Sequence, residues 1–91
     1  MTESEFRAEL EQLGIEPYVA EWTAGHFNPE HAHAFTARGF VLAGDFILSF
    51  AGQDHHLRAG SDFRLAAGTP HTERAGANGT TILAGRLPAA A

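Results

Sequence analysis

The sequence predicts an all-β domain, a small sandwich or barrel, preceded by one short helix. Three observations lead to this fold class. After Pro17 apolar and polar residues alternate at a period of two, which is typical of strands with one buried face. Glycines separate the alternating segments at short intervals, and only the first residues have the spacing of an amphipathic helix. About seven or eight short strands are therefore expected.

Residues 2–13 have the pattern of a short amphipathic helix. Thr2 can cap its N-terminus, and Glu5, three residues later, can complete a capping box. One face is apolar at Phe6, Leu10 and Leu13. Gly14 is a natural stop that ends the helical segment, 1–14. This helix is expected to cover a sheet or an interface and to carry no chemistry.

Seven segments have the pattern of strands. They are residues 18–23, 38–43, 45–50, 53–58, 62–65, 71–74 and 80–86. Gly44 lies between two of them and predicts a hairpin. Tight turns are also expected at Ala51-Gly52 and at Asn78-Gly79.

The composition excludes several classes of function. The 91 residues suit one domain, and 44% hydrophobic residues are too many for a disordered chain. The formal net charge is -5 and the six basic residues are scattered, so nucleic acid is not an expected partner. The absence of cysteine excludes disulfides, thiolate ligands and a cysteine nucleophile, so any metal must be held by nitrogen or oxygen.

The N-terminal residues do not form a targeting signal. They are acidic and polar, whereas a secretory signal starts with a basic residue and continues with an apolar run. No apolar stretch approaches the length that spans a membrane. A cytoplasmic protein without a membrane partner is therefore expected.

Two histidines, His31 and His33, lie two residues apart, just after a segment that Gly25 and Pro29 interrupt. In an extended segment residues i and i+2 point to the same side, so the two imidazoles would converge on one point. A β-scaffold presents two nitrogens to a metal in this way. Three further histidines have no companion at a useful spacing and are expected to face solvent: His26, His55 and His56.

The spacing around the histidine pair resembles the first motif of the metal-binding cupins. That motif has Gly, five residues, His-x-His, three or four residues, Glu, six residues and Gly. Both Gly and both His positions match in this chain, at Gly25, His31, His33 and Gly44. Ala37 stands where the motif has Glu.

The second motif of the same family has Gly, five residues, Pro-x-Gly, two residues, His, three residues and Asn. Its two Gly positions and its His position match at Gly60, Gly68 and His71. Ala66 stands in place of the Pro and Ala75 in place of the Asn. The resemblance covers about residues 15–87, which leaves 88–91 as a frayed tail.

The resemblance implies a small RmlC-like cupin, which is a double-stranded β-helix or jelly-roll barrel. It implies that one divalent transition metal, Zn, Fe, Ni or Mn, is bound at the mouth of the barrel by His31, His33 and His71. It implies no fourth protein ligand, because Ala37 stands at the position of the carboxylate.

Two charged residues near the motifs carry different expectations. Arg38 is expected on the outer face of its strand with Phe40 and Leu42, so it cannot replace the missing Glu. Glu73 follows His71 by two residues and so lies on the same face, where it could reach the metal or accept a proton from a bound water. The alternative for Glu73 is a solvent-facing side chain or a pair with an arginine.

Three imidazoles leave coordination positions open for water or a small molecule, which is the mark of a functional site. Ala37 and Gly39 are expected to face inward and to leave room beside the metal. Apolar side chains such as Phe35 and Val41 would bound this space.

The predicted function is therefore a metal-binding cupin domain with a three-histidine site that is open to water or a small-molecule ligand. One alternative is a non-heme iron dioxygenase, since the thiol dioxygenases of this family also lack the Glu; its candidate acid or base residues are Glu73, Tyr18 and Arg64. Another alternative is a metal-free or structural-metal binding module. Because so small a barrel has exposed sheet edges, a homodimer is expected.

Overall fold

The computed structural model describes residues 1–89 and contains, within them, one helix and six strands. They are α1 (Glu3–Gln12), β1 (Tyr18–Trp22), β2 (Phe27–His31), β3 (Thr36–Phe50), β4 (Gln53–Arg58), β5 (Asp62–Leu65) and β6 (His71–Leu87). The predicted all-β class with one short N-terminal helix is confirmed. The last two residues of the predicted frayed tail lie outside the described residues.

α1 begins with the predicted capping box. The Thr2 side chain accepts a hydrogen bond from the Glu5 backbone nitrogen at 3.2 Å, and the Glu5 carboxylate accepts one from the Thr2 backbone nitrogen at 2.7 Å. Phe6 and Leu10 are buried, but Leu13 is 54% exposed. The apolar face is therefore narrower than the sequence predicts, and the helix is one residue shorter at each end.

Two long strands, β3 and β6, pair antiparallel along most of their length and hold the fold together. β1 pairs with the C-terminal half of β6, and β2 pairs with its N-terminal half. In the same way β5 pairs with the N-terminal half of β3, and β4 pairs with its C-terminal half. This pairing holds the end of β2, with its histidine, against the start of β6.

Gly44 and Gly79 do not form the predicted turns. Both lie inside a long strand, with φ of 77° and 73°, and the register between β3 and β6 shifts beside Gly44. A Cβ at Gly44 would overlap the Gly79 carbonyl oxygen, so the two glycines let the backbones approach closely. A positive φ within paired strands makes a bulge that bends the strand and does not reverse it.

The predicted turn at Ala51-Gly52 is confirmed. The two residues have φ of 52° and 75°, and Phe50 faces Gln53 across the hairpin. Two successive positive φ angles are required by the type I′ turn, which matches the twist of the strands that it joins. The chain therefore reverses at Ala51-Gly52, and β3 and β4 form a hairpin.

The buried apolar side chains form two clusters on opposite faces of the long strands. One joins α1 to the sheet and consists of Phe6, Leu10, Phe40, Leu83 and Leu87. The other fills the interior and consists of Val41, Phe46, Leu48, Leu65 and Ile82. Neighbours such as Phe40 and Val41 fall in different clusters, as the alternation of a strand requires.

Arg38 lies on the outer face of β3, as predicted, but α1 covers it, so its side chain is buried. The guanidinium donates to the two carboxylate oxygens of Glu9 at 2.7 and 2.8 Å and to Asp62 Oδ2 at 2.8 Å. It also lies 5.1 Å from the centroid of the Phe6 ring. The helix is therefore held to the sheet by a bidentate ion pair as well as by apolar contacts.

The pair of Glu9 and Arg38 predicts a pH dependence of stability. The hydrogen bond from Arg38 is the main cause that lowers the pKa of Glu9 below its usual 4.5. This stabilisation is complete above about pH 4.5, the unfolded-state value, and is lost as the pH falls through the lower folded-state pKa. Between about pH 5 and pH 3 the free energy of unfolding should therefore fall less in Glu9→Gln than in the parent. It is measured by urea unfolding, followed by Trp22 fluorescence.

The control for this prediction is Glu11→Gln, which changes an exposed carboxylate of the same helix. It should retain the pH dependence of the parent. A Glu9→Gln variant with the same loss of stability as the parent over this pH range would contradict the prediction.

The edge strand β1 exposes two large side chains, since Tyr18 is 42% and Val19 is 53% exposed. The predicted homodimer would need to cover such an edge, and it stays a prediction. Within residues 1–89 no helix has both the length and the hydropathy that crossing a membrane requires.

Candidate metal centre

Three imidazoles meet on the interior side of the strands. They belong to His31, His33 and His71. One ligand atom from each lies within 4.8 Å of the others. His31 ends β2 and is in register with His71, which begins β6. The ring of His33 lies 4.8 Å from that of His31 and 5.1 Å from that of His71, between centroids. The structure thus brings together the three residues that the sequence predicts as ligands.

Backbone carbonyl groups orient two of the three rings. His31 Nδ1 lies 2.8 Å from the Pro29 carbonyl oxygen, and His71 Nδ1 lies 2.9 Å from that of Thr69. A carbonyl oxygen only accepts hydrogen bonds, so each Nδ1 carries the proton and donates it. In a neutral ring each Nε2 then keeps its lone pair, which is the form in which an imidazole binds a metal.

His33 is oriented by an aromatic neighbour. Its ring stacks on Phe35 with 4.6 Å between centroids and 19° between planes. Burial is the largest cause that lowers the pKa of His33 below its usual 6.5, and His31 and His71 lower it further. The lowered pKa keeps this imidazole neutral near pH 7, as metal binding requires.

A carboxylate, that of Glu73, lies beside the histidines. Its Oε1 is 3.1 Å from His31 Nε2 and 3.7 Å from His71 Nε2, and its side chain is only 14% exposed. Asn28 Nδ2 donates to the same oxygen at 3.4 Å. The sequence left open whether Glu73 faces the histidines or instead faces solvent or an arginine. In the structure its side chain lies with the histidines.

The histidines and Glu73 form a set of acceptors that a shared proton or a metal ion can join. With the Nδ1 protons engaged, the lone pairs of His31 and His71 face the Glu73 carboxylate at the distances given above. Such acceptors repel one another unless a proton or a metal ion lies between them. Imidazole nitrogens and a carboxylate oxygen are ligands typical of zinc and the first-row divalent metals. The residues present therefore fit a divalent metal.

A cavity of about 280 Å³ opens beside the cluster. Much of its wall is apolar, through Trp22, Phe35, Ala37, Phe63, Leu65, Ile82 and Ala84. Its polar lining comes from the three histidines, Glu73 and Asn28, together with Tyr18 and Arg86. An apolar enclosure with a few convergent polar groups is typical of a small-molecule site.

The sequence correctly places Ala37 and Phe35 in this wall, but two other expectations about it are wrong. Gly39 leaves no room beside the histidines, because the Phe63 ring occupies the space of its missing Cβ. Val41 is absent from the wall, because it packs in the interior cluster. Both errors concern contacts with other strands, which alternation along one strand does not reveal.

The other predicted polar residues have different outcomes. His26 and His56 are exposed, as predicted, whereas His55 is half-buried and stacks on Phe50 with 4.6 Å between centroids. Among the acid or base candidates, Tyr18 and Glu73 line the cavity and Arg64 does not.

Sequence reasoning did not identify Asn28 or Arg86 as site residues. Asn28 lies in β2, a strand that the alternating pattern does not predict, since Pro29 interrupts it. Arg86 lies in a predicted strand, but nothing in the sequence places that strand beside the position of Ala37.

No protein-family model matches the sequence, and no curated protein matches it. Solved structures do match the fold. A cupin superfamily protein from Desulfitobacterium hafniense is 18% identical, with a TM-score of 0.72 over 81% of this chain and 67% of its own. An RmlC-like cupin from Shewanella frigidimarina is 24% identical, with a TM-score of 0.67 over 81% of this chain and 68% of its own. The DMSP lyase DddQ from Ruegeria pomeroyi is 26% identical, with a TM-score of 0.72 over 80% of this chain and 38% of its own.

These similarities, together with the strand pairing, show that the chain has the cupin jelly-roll fold. The fold that the two sequence motifs imply is therefore confirmed. Inside this fold the chain carries a three-histidine cluster that could hold a metal ion.

Proposed function

We propose that this cupin-fold protein binds one divalent transition metal through His31, His33 and His71 and offers it to a small molecule in the adjoining cavity. The observation that carries the proposal is the convergence of three imidazoles, whose ligand atoms lie within 4.8 Å of one another beside the Glu73 carboxylate. When bound, the metal would supply a Lewis acid that polarises an oxygen of the ligand. The donor set suits Zn, Fe, Ni or Mn, and the apolar wall suits a compact organic molecule.

Glu73 is proposed as the carboxylate of this site. In the motif that the chain resembles, the carboxylate belongs to the position of Ala37 on β3. Here Glu73 on β6 offers one to the same cavity. The hydrogen bond from Asn28 to Glu73 supports this role, because ligating carboxylates are commonly held by such outer partners.

Catalysis at the same site is a second candidate, and Glu73 favours it. A carboxylate 3.1 Å from a ligand nitrogen could also hold or release a proton next to a bound molecule. One protein similar in fold is a DMSP lyase, and a three-histidine site is also compatible with a non-heme iron dioxygenase. Oxygen uptake by the iron-loaded protein with a panel of small thiols and diketones would separate a dioxygenase from a binding protein.

The proposal predicts one metal ion per chain. Tag-free protein is titrated with Zn²⁺, Ni²⁺, Mn²⁺ and, without air, Fe²⁺, and the retained metal is measured by elemental analysis after desalting. At least one of these ions should remain near one equivalent in the parent and fall to a small fraction in His33→Ala, because one of three imidazole ligands is lost. The matched control is His56→Ala, which removes an exposed histidine of β4 and should retain the parent's metal content. A parent that retains none of the four metals would refute the proposal.

A further inference from the structure

One charged residue of the cavity, Arg86, has no part in the proposed metal site. It lies on β6, where Ile82, Ala84 and Arg86 face the cavity and alternate with residues that face α1. Its Cα partner on β3 is Ala37. Side chains directly opposite each other on one face have Cβ atoms about 4.5–5.5 Å apart. Arg86 is therefore adjacent to the position where the cupin motif has its glutamate.

Two aromatic rings hold the Arg86 side chain. Its guanidinium carbon lies 5.4 Å from the centroid of the Tyr18 ring and 5.0 Å from that of Phe35. Aromatic faces contact the flat face of a guanidinium and leave its N–H groups free to donate at the edge. Phe35 also stacks on His33, so the same ring joins the arginine to the histidine cluster.

Among the described residues no acidic side chain pairs with Arg86. Within residues 1–89 none of the ion pairs includes this guanidinium. Arg38 is buried and has carboxylates from both Glu9 and Asp62, whereas Arg86 is exposed, so water can solvate its charge until a ligand displaces it. A glutamate at position 37 would stand beside Arg86 and could pair with it, whereas Ala37 leaves both the space and the positive charge available.

We propose that Arg86 binds the carboxylate of a small ligand, in the space that Ala37 leaves open. This inference rests on the proposed function, because it names the class of molecule that the metal site would receive: a compact monocarboxylate with an apolar body. The apolar body contacts side chains such as Phe63 and Leu65. The cavity of about 280 Å³ is close to the lower end of the range of ligand pockets, about 300–1,000 Å³, so it suits a compact molecule.

The test is calorimetric titration of the zinc-loaded protein with acetate, propionate and benzoate and with the corresponding neutral amides. At least one carboxylate should bind, and its amide should bind about tenfold more weakly or worse, since a hydrogen bond to a charged group is the stronger kind. Arg86→Gln should weaken binding of that carboxylate by about tenfold or more, without changing the zinc content. The matched control is Arg58→Gln on β4, an exposed arginine outside the cavity wall, which should bind as the parent does.

A second variant tests the same inference with the arginine retained. Ala37→Glu should weaken carboxylate binding more than Ala37→Gln, because the two side chains are similar in size and only the glutamate carries a charge that pairs with Arg86. The comparison is made on metal-free protein as well, where a glutamate at position 37 has no metal to bind. A parent that binds none of the carboxylates, or an Arg86→Gln variant with parental affinity, overturns the inference. If Arg86→Gln does not fold, equal weakening by Ala37→Glu and Ala37→Gln overturns it.

The two proposals fail in different measurements. Zinc content and carboxylate affinity are determined separately, and the titration is repeated on metal-free protein. An arginine-dependent preference for carboxylate that persists without metal supports the role of Arg86 even if the metal site is refuted. If zinc binds at one equivalent but the protein shows no such preference for carboxylate, the proposed metal site stands and the role of Arg86 is rejected.

Discussion

Replacing His71 by alanine is expected to weaken zinc binding by about a hundredfold or more. His71 is 2% exposed, its Nδ1 is fixed on the Thr69 carbonyl and its Nε2 faces Glu73. Loss of an outer partner of a ligand typically costs 10–100-fold in metal affinity, so loss of a ligand itself should cost at least as much. Affinity is measured by competition with a chromophoric chelator, and the rise of the melting temperature with zinc is measured in parallel.

The thermal measurement separates metal binding from folding. A ligand at about 100 times its dissociation constant stabilises the folded state by about 2.7 kcal/mol, so zinc should raise the melting temperature of the parent. The metal-free His71→Ala variant will itself be less stable, because a buried ring is removed, so the quantity compared is the zinc-induced shift. His56→Ala, which changes an exposed histidine of β4, should keep the full shift. A full zinc-induced shift in His71→Ala would contradict the assignment.

The largest effect on stability is expected for Phe46→Ala. Phe46 is completely buried in the interior cluster, and its ring centroid lies 5.2 Å from that of Trp22 and 5.6 Å from that of Phe63. Truncation of a buried phenylalanine costs about 3–5 kcal/mol, since apolar contacts are lost and a void remains. At about 4–8 °C per kcal/mol for a domain of this size, the melting temperature should fall by about 12 °C or more.

The matched control is Phe27→Ala on β2. Phe27 is 44% exposed, and the guanidinium carbon of Arg74 lies 4.7 Å from the centroid of its ring. An exposed contact of this kind is worth about 0.5–1 kcal/mol, so the control should unfold within a few degrees of the parent. Both variants are compared in the metal-free state by calorimetry. A loss of less than about 1 kcal/mol in Phe46→Ala would show that the interior cluster does not determine stability.

Residues close together in the chain made part of the site predictable. His31 and His33 are two residues apart, so an extended segment would turn both rings to one side. In the structure β2 ends at His31 and His33 lies just beyond it, yet the two rings still meet. His71 was predicted as the third ligand because the spacing of the two motifs resembles that of the cupins. That these residues meet is observed, and that they hold a metal is the proposal that the titrations test.

Other features of the site depend on contacts between strands. Glu73 reaches the histidines because β2 pairs with the start of β6, and Arg86 faces Ala37 because β3 pairs with its end. Alternation predicts which side of its own strand a residue occupies, but it gives no information about the residue on the next strand. For this reason the role of Glu73 stayed open in the sequence and Arg86 was not identified.

The sequence by itself determined the all-β class, the capped N-terminal helix, the turn at Ala51-Gly52 and the three histidines, because each depends on local geometry at a spacing of a few residues or on a motif. Only the tertiary structure decided that Gly44 and Gly79 bend long strands where turns were expected. Only it decided that α1 buries Arg38 and that Glu73 and Arg86 line the same cavity as Ala37. The physical reason is that these outcomes depend on which strands pair and in which register, and register is fixed when the whole interior packs.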